Sequence, residues 1–293
     1  MNSLDSPFGY VPNLPANVIG AVLFGLILLY QLWLGVHFKE YLVMLTWGLA
    51  ALLEFLTYVA RSVAHHESQS IPMYEMQLIC GVIAPAFVSR GTYYQLSKLV
   101  TIYGERFGVM PPRVSVWFFI IVDICAVVVQ AAGSGTTAAN VGKSASGASI
   151  GRWVVVAGIA FQTMVMVLFL VMWVTVLVRI HRSRTVDWNP KFESNRHRKL
   201  FPFFVPAITL SHLFILIRSI FRIVEMAEGI PSKLTLHERY FLVLDGLMVL
   251  LGMLVLCVVY PRIAYGHVPI NGIHKPSKAD DELELTAKFT SSS

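Results

Sequence analysis

The chain has 293 residues, of which 56% are hydrophobic and only 14% are charged, and its mean hydropathy is +0.65. Soluble globular proteins carry about 25% charged residues, so the composition excludes an ordinary soluble enzyme and predicts a polytopic membrane protein. The net charge of +6 could suit an acidic partner. Its basic residues, however, lie where membrane topology requires them, so we predict no nucleic-acid partner.

Seven stretches are long and apolar enough to cross a bilayer core of about 30 Å as helices. They run from Asn17 to Val36, Tyr41 to Val63, Met76 to Thr101, Arg113 to Gly135, Trp153 to Ile180, Phe201 to Val224, and Tyr240 to Tyr260. The sequence therefore predicts an all-α polytopic membrane protein, a seven-transmembrane-helix bundle over residues 17–261. An N-terminal segment 1–16 precedes it, and a tail 262–293 that is predicted to be disordered follows it. Four tryptophans are expected at the membrane interface or facing lipid: Trp47, Trp117, Trp153 and Trp173.

The distribution of the 23 Lys and Arg residues predicts the orientation. Four lie on the same side as the N-terminus, fourteen lie in the odd-numbered loops and the tail, and five lie inside spans. Cytoplasmic loops carry the excess of basic residues, so we predict an extracellular N-terminus and a cytoplasmic C-terminus. The basic fifth loop, residues 179–199, suits anionic inner-leaflet lipid and is a candidate contact for a cytoplasmic partner.

Nine ionisable side chains fall inside the spans or at their rims, where a central charge costs about 2.5–3.5 kcal/mol. They are Arg61, Arg90, Lys98, Arg218, Arg222, Glu54, Asp123, Glu225 and Asp245. Because the two signs nearly balance, we expect these groups to pair inside the bundle or to line an aqueous cavity. Arg90 and Asp123 fall at similar depth on adjacent spans and form a candidate structural ion pair.

Helical spacing places many of these residues on shared faces. The spacing i, i+4, i+7 occurs in span 2 and again in span 6, and an acidic pair seven residues apart opens span 7. We therefore predict a polar cluster between spans 2, 3, 4, 6 and 7 that opens outward and binds a substrate. Its candidate residues are Glu54, Tyr58, Arg61, Gln77, Asp123, Gln130, Arg218, Arg222, Glu225, Glu238 and Asp245. The alternative is a purely structural role, in which ion pairs fix helix register.

The sequence predicts no cofactor and no metal site. Gly133-Ser134-Gly135 begins a dinucleotide-type pattern but follows a membrane span rather than a strand. His65-His66-Glu67 is more typical of a solvated loop than of metal ligands. Glu54 or Asp123 could act as an acid or base on a lipid, but no nucleophile accompanies them. We therefore predict a protein that is not an enzyme.

Several motifs carry a resemblance to a known family. They are Gly9-Tyr10-Val11-Pro12 with Asn17, the E-x3-Y-x2-R of Glu54, Tyr58 and Arg61, Gln77 with Ala84-Pro85 and Tyr93, Asp123 with Gln130 and Gly133-Ser134-Gly135, Gly158 with Gln162, the run from Arg218 to Glu225, and Glu238 with Asp245. Over residues 8–266 the chain is similar to the RTA-like proteins of fungi, also called the lipid-translocating exporter family. Arg90, Leu242 and Tyr260-Pro261 depart from that family's pattern.

The resemblance implies a seven-span protein of the fungal plasma membrane with an extracellular N-terminus, which agrees with the independent charge count. It also implies export of amphiphilic lipids such as sphingoid long-chain bases, a role in lipid asymmetry, and resistance to drugs and stress. Acidic groups of the cluster would suit the amine of such a base, whereas its arginines would suit a phosphate or carboxylate. The alternatives are a seven-helix receptor or sensor of lipids, and a transporter of porphyrin or sterol-like compounds. The sequence predicts no oligomeric state.

Overall fold

The computed structural model describes residues 12–66, 70–140, 144–184, 188–228, 238–266 and 268. Within these ranges the regular structure is entirely helical, as the sequence predicts. The long helices are α1 (Leu14–Phe38), α2 (Tyr41–Ala64), α3 (Ile71–Tyr103), α4 (Pro112–Asn140), α5 (Ala145–Arg182), α6 (Phe201–Glu228) and α7 (residues 238–258). Each coincides with one predicted span. The loop 229–237, residues 1–11 with the Gly9-Tyr10-Val11 motif, Glu67, and the tail from 269 onward lie outside the described residues.

Local sequence explains where several helices begin. At the start of α1 the Asn13 side chain accepts a hydrogen bond from Ala16 N at 3.1 Å, and Pro15 occupies the first turn. At the start of α5 the Ser144 hydroxyl accepts from Gly147 N at 3.2 Å. Such caps satisfy backbone N–H groups that have no partner within the helix.

In the described part of the chain, six helices are long and apolar enough to cross a membrane, namely α1, α2, α4, α5, α6 and α7 with the following short helix Pro261–Tyr265. Helix α3 has 33 residues but is less apolar. It packs against α2, α4, α5 and α6, and every residue from 88 to 100 is buried. A helix enclosed by other helices meets protein rather than lipid, so it can carry polar side chains. A crossing by α3, and hence the count of seven, stays a prediction.

The outer surface of the bundle is apolar, as lipid contact requires. Leu29 on α1 and Val258 on α7 are 65% and 73% exposed. Trp117 and Trp153 are exposed, in agreement with the lipid-facing expectation. The same expectation is wrong for Trp47 and Trp173, which are buried in the core. Hydropathy does not distinguish a tryptophan that faces lipid from one that faces another helix.

Trp47 is buried because α3 offers a residue without a side chain opposite it. The indole Nε1 donates to Val88 O at 3.3 Å, and a Cβ built on Gly91 would lie 1.9 Å from that Nε1 atom. Helices approach this closely in membranes where one of them carries a small residue. The contact fixes α2 against α3, the two helices that present Glu54, Arg61 and Gln77.

We expect Gly91→Ala to destabilise the protein by about 1–3 kcal/mol, because the rigid indole must move and lose its hydrogen bond. The measurement is the thermal unfolding midpoint of the purified protein in detergent. Gly135→Ala on α4 is the matched control, since nothing lies within 4 Å of its added Cβ. An equal midpoint for the two variants would contradict the packing described.

Helix α7 is not a regular α-helix. It begins with one turn, Glu238–Tyr240, continues as a π-helical segment, Phe241–Leu247, and ends as the α-helix Met248–Val258. Each turn of a π-helix holds more residues than an α-turn, and such segments occur frequently at functional sites. This one brings both Phe241 and Asp245 into the bundle interior, where both are buried.

Charged side chains also connect the segment after α7 to the start of α2 and the end of α3. Lys98 is fully buried, and its Nζ donates to Val268 O at 2.5 Å. Glu40 Oε1 lies 3.8 Å from that Nζ atom and 3.7 Å from Arg262 Nη1. The segment after α7 is therefore fastened to α2 and α3 by charged groups.

Candidate functional site

The centre of the site is an ion-pair network between α6 and α7. Arg222 makes two parallel bonds to the Asp245 carboxylate, Nε to Oδ1 at 2.7 Å and Nη2 to Oδ2 at 2.9 Å. Arg222 Nη1 also donates to Glu225 Oε2 at 2.9 Å. Arg218 Nε lies 2.7 Å from Asp245 Oδ1. The i, i+4, i+7 spacing on α6 thus presents all three side chains to α7, as the sequence predicts. We call these four residues the inner network.

Helix α3 completes the inner network through its backbone. Arg218 Nη2 donates to Gly81 O. A Cβ on Gly81 would lie 3.3 Å from Arg222 Nη2, so a larger residue would crowd the guanidinium. Arg218 and Asp245 are almost fully buried. A buried charge is costly unless an opposite charge accompanies it, and here Arg218 and Asp245 lie against each other.

A second network lies nearer the predicted outer side, around Glu238, seven residues before Asp245 on α7. Arg61 on α2 donates from Nε to Asn17 Oδ1 at 2.8 Å, from Nη1 to Gln77 Oε1 at 2.7 Å, and from Nη2 to Glu238 Oε1 at 2.6 Å. Asn17 Nδ2 donates to the same Glu238 oxygen at 2.9 Å. One guanidinium therefore joins α1, α2, α3 and α7. We call Arg61, Asn17, Gln77 and Glu238 the outer network.

Phe241 connects the two networks. Its ring centroid lies 4.0 Å from the Arg61 guanidinium carbon and 5.2 Å from that of Arg222. Aromatic faces attract cations at such distances, so both guanidinium groups lie against a single ring.

Tyr58 packs against the same ring, with centroids 6.3 Å apart. Two glycines leave room for it, because a Cβ on Gly20 would lie 2.5 Å from its ring and a Cβ on Gly246 would lie 1.7 Å from its hydroxyl. Tyr58 is therefore held between α1 and α7. A larger residue at either glycine would move the tyrosine.

Glu54 differs from the acidic residues of the two networks. It is fully buried, and neither carboxyl oxygen has a hydrogen-bond partner in the part of the chain that the structure describes. Arg218, Arg222 and Asp245 lie within electrostatic range of it. Those two arginines are already paired with Asp245 and Glu225, and Arg61 is paired with Glu238. Three guanidinium groups thus face three carboxylates, and Glu54 is a fourth carboxyl without a counter-charge.

A family model described as RTA1 like protein matches residues 48–267. The chain belongs to this RTA1-like family. The sphingoid long-chain base transporter RSB1 of Saccharomyces cerevisiae strain S288c is 31% identical over 283 residues, covering 88% of this chain and 74% of that protein.

Two more relatives from Saccharomyces cerevisiae are less similar. Protein RTM1 is 26% identical over 232 residues, covering 77% of this chain and 71% of that protein. Protein RTA1 is 26% identical over 212 residues, covering 72% of this chain and 63% of that protein. No solved structure matches the chain at a significant level. The resemblance inferred from the motifs is thereby confirmed at the level of the family.

Two of the predicted site residues of this RTA1-like protein lie apart from both networks. Gln130 Nε2 donates to Gln162 Oε1 at 2.7 Å, so it joins α4 to α5. Asp123 is buried, and neither of its oxygens has a hydrogen-bond partner among the described residues. Arg90 and Tyr93 lie within electrostatic range of Asp123. No salt bridge joins Asp123 to Arg90 in the described part of the chain. The Arg90 guanidinium carbon lies 4.4 Å from the Phe87 ring centroid, so a direct Arg90–Asp123 ion pair stays a prediction.

The remaining nine predicted residues are brought together, and the structure holds them closed. Glu238 is the most exposed acidic side chain of the cluster at 13%, and exposure falls to zero at Asp245 and Glu54. The structure therefore shows a closed and buried cluster rather than the outward-opening cavity expected from the sequence. The Arg61–Glu238 pair lies at the more exposed end of the closed cluster.

An apolar groove of about 730 Å³ lies on the other side of α2, between α1 and α2. Val22, Gly25 and Leu29 of α1 and Phe55 and Val59 of α2 line it. Phe55 and Val59 immediately follow Glu54 and Tyr58 in the sequence. One helix of this RTA1-like protein thus presents a polar face to the cluster and an apolar face to the groove.

Sequence reasoning missed three contributors to the site. Asn17 was noted only as a family motif residue, yet it bonds to both Arg61 and Glu238. Phe241 carried no signal, because an aromatic residue inside an apolar span is unremarkable. Gly81 acts through its carbonyl oxygen, which no side-chain pattern can reveal. A polar residue such as Asn17 at the start of an apolar span was the only available clue.

Proposed function

We propose that this RTA1-like protein transports amphiphilic lipids with a cationic headgroup, sphingoid long-chain bases or close analogues, across the membrane. The observation that carries the proposal is Glu54, a buried carboxyl that has no hydrogen-bond partner among the described residues and lies beside charges that are already balanced. A primary ammonium would supply the missing partner through a charge-assisted hydrogen bond. The name of the 31% identical relative, a sphingoid long-chain base transporter, supports the same class of substrate.

The two faces of α2 suit the two halves of an amphiphile. The headgroup meets Tyr58 and Glu54 in the cluster, and it leaves toward the extracellular side when the Arg61–Glu238 pair separates. The alkyl tail stays in lipid or in the groove lined by Phe55 and Val59. Binding of an apolar chain there is favoured by about 0.8 kcal/mol per buried methylene group. The substrate-binding residues we propose are those of the two networks with Glu54 and Tyr58.

The proposal includes a membrane topology. We propose seven crossings, with α3 as the enclosed one, an extracellular N-terminus and a cytoplasmic C-terminus. The location is the plasma membrane, where such a protein contributes to lipid asymmetry and to resistance against toxic amphiphiles. Catalysis plays no part, and the basic loop 179–199 faces the cytoplasm and any partner there. In this orientation the networks occupy the extracellular half of the bundle.

The test is loss of a labelled sphingoid base from preloaded yeast cells that lack related exporters. Cells with the wild-type protein are expected to lose label several times faster than cells with an empty vector. Glu105→Gln is the expression-matched control, because it removes an exposed carboxylate in the turn after α3, far in sequence from the cluster. It should behave as wild type. Equal retention with and without the protein at matched surface expression would overturn the proposal.

A further inference from the structure

We infer that Glu54 is a proton-binding site whose proton leaves when the substrate ammonium binds, so that transport of a cationic amphiphile is coupled to proton countertransport. This inference rests on the proposed function and adds to it the coupling ion. Its starting point is the unpartnered and fully buried Glu54 carboxyl. An ionised carboxylate in such a place would be an isolated buried charge, which is far more costly than its neutral form.

The groups that face Glu54 come from each helix around it. Arg218 and Arg222 of α6 and Asp245 of α7 lie within electrostatic range, as do Cys80 of α3 and Tyr58 on α2 itself. Helix α1 contains no Asp, Glu, Lys or Arg. The only cations in this set are the two arginines.

Those arginines are committed elsewhere. Asp245 takes two bonds from Arg222 and a close contact from Arg218, and Glu225 takes the remaining Arg222 bond. The inner network is therefore neutral without Glu54. The closed conformation consequently holds Glu54 in its protonated form, as a neutral carboxylic acid.

Binding of a long-chain base releases one proton from the site. The substrate arrives as an ammonium ion and keeps its proton. The Glu54 O–H bond breaks, the proton passes to water, and the carboxylate pairs with the ammonium. No electron is transferred. The occupied site holds a carboxylate and an ammonium, and the empty site holds a carboxylic acid, so both are neutral. The protein can therefore change the side to which either site is open without placing an uncompensated charge in the low-dielectric region.

The exchange supplies a driving force that the sequence otherwise lacks. In this cycle the site opens to the outside with the ammonium bound and opens again to the inside with Glu54 protonated. One proton therefore moves inward for each base exported. A pH gradient that is acid outside then drives export. Because one positive charge moves in each direction, the membrane potential does not drive the cycle.

The experiment measures proton release from the full chain in phosphatidylcholine nanodiscs, in weakly buffered solution near pH 6 with a pH-sensitive dye. The ligand is sphinganine, whose primary amine is fully protonated at that pH, so any released proton comes from the protein. Empty nanodiscs provide the baseline, and binding is measured separately by tritium-labelled ligand. We expect wild type and Glu105→Gln to release about one proton per base bound, and Glu54→Gln to release none.

The outcomes separate the inference from the proposed function. Binding by wild type without proton release would overturn the coupling and leave the transporter proposal intact. Release by Glu54→Gln equal to that of wild type would overturn the assignment to this residue. Absence of sphinganine binding by wild type would overturn the proposed function itself. Unchanged thermal unfolding of Glu54→Gln ensures that loss of release does not reflect loss of fold.

Discussion

Replacing Asp245 by Asn is expected to lower the free energy of unfolding by about 3–5 kcal/mol, the cost of leaving a buried ion pair without one partner. Asp245 is the carboxylate that forms ion pairs with both Arg218 and Arg222. The amide keeps the shape of the carboxylate but carries no charge, so two buried guanidinium groups would share only Glu225. The thermal midpoint in detergent should fall by on the order of 10 °C.

Glu54→Gln is the matched comparison for this prediction. This variant also replaces a carboxyl group by an amide, but on α2 instead of α7. Glu54 is as buried as Asp245, yet it makes no hydrogen bond among the described residues. Its thermal midpoint should stay within a few degrees of wild type, because a neutral carboxylic acid and an amide are similar in size and charge. If the two variants were destabilised equally, Glu54 would be an ionised member of the inner network.

Efflux by Glu54→Gln should be at least about tenfold slower than wild type, although the protein folds. The physical reason is that the amide offers no negative charge to the substrate ammonium, and a charge-assisted bond of this kind contributes about 1.5–3 kcal/mol. The measurement is the initial rate of label loss from preloaded cells, normalised to surface expression. Loss of function without loss of stability would distinguish a binding residue from a structural one.

Glu54→Asp serves as the conservative rescue for that experiment. It restores the negative charge on a side chain one methylene shorter and should recover part of the rate. Efflux by Glu54→Gln at the wild-type rate would assign recognition of the amine to other groups. In that case Glu225 and Glu238, the more exposed carboxylates of the cluster, would become the candidates.

Helical periodicity predicted the two faces that form the cluster, because residues four and seven apart on a regular helix point the same way. Arg218, Arg222 and Glu225 follow this rule on α6. Glu54, Tyr58 and Arg61 follow it on α2, and each faces the bundle interior. The free-energy cost of a charge in lipid predicted which way these faces point, because charged residues must face protein. The structure thus brings nine of the eleven predicted site residues together, and their role in binding stays a prediction.

The features that the sequence did not predict depend on contacts between helices. The π-helical segment of α7 sets the position of Asp245, and no residue type marks such a segment. Gln130 was assigned to the cluster because of its depth, but its rotation about α4 turns it toward Gln162 on α5. Depth follows from counting residues along a span, whereas rotation depends on which neighbours a helix has. Burial of Trp47 against Gly91 has the same origin.

The most direct test of the central claim is a comparison of two ligands that share an alkyl chain and differ in the charge of the headgroup. Sphinganine and N-acetylsphinganine have the same chain and hydroxyl groups, but acetylation removes the ammonium. Binding to the full chain in phosphatidylcholine nanodiscs should be about ten- to a hundredfold tighter for sphinganine, and Glu54→Gln should remove most of that difference. Equal affinity of the wild-type protein for the two ligands would contradict the claim that the buried carboxyl of Glu54 recognises a cationic headgroup.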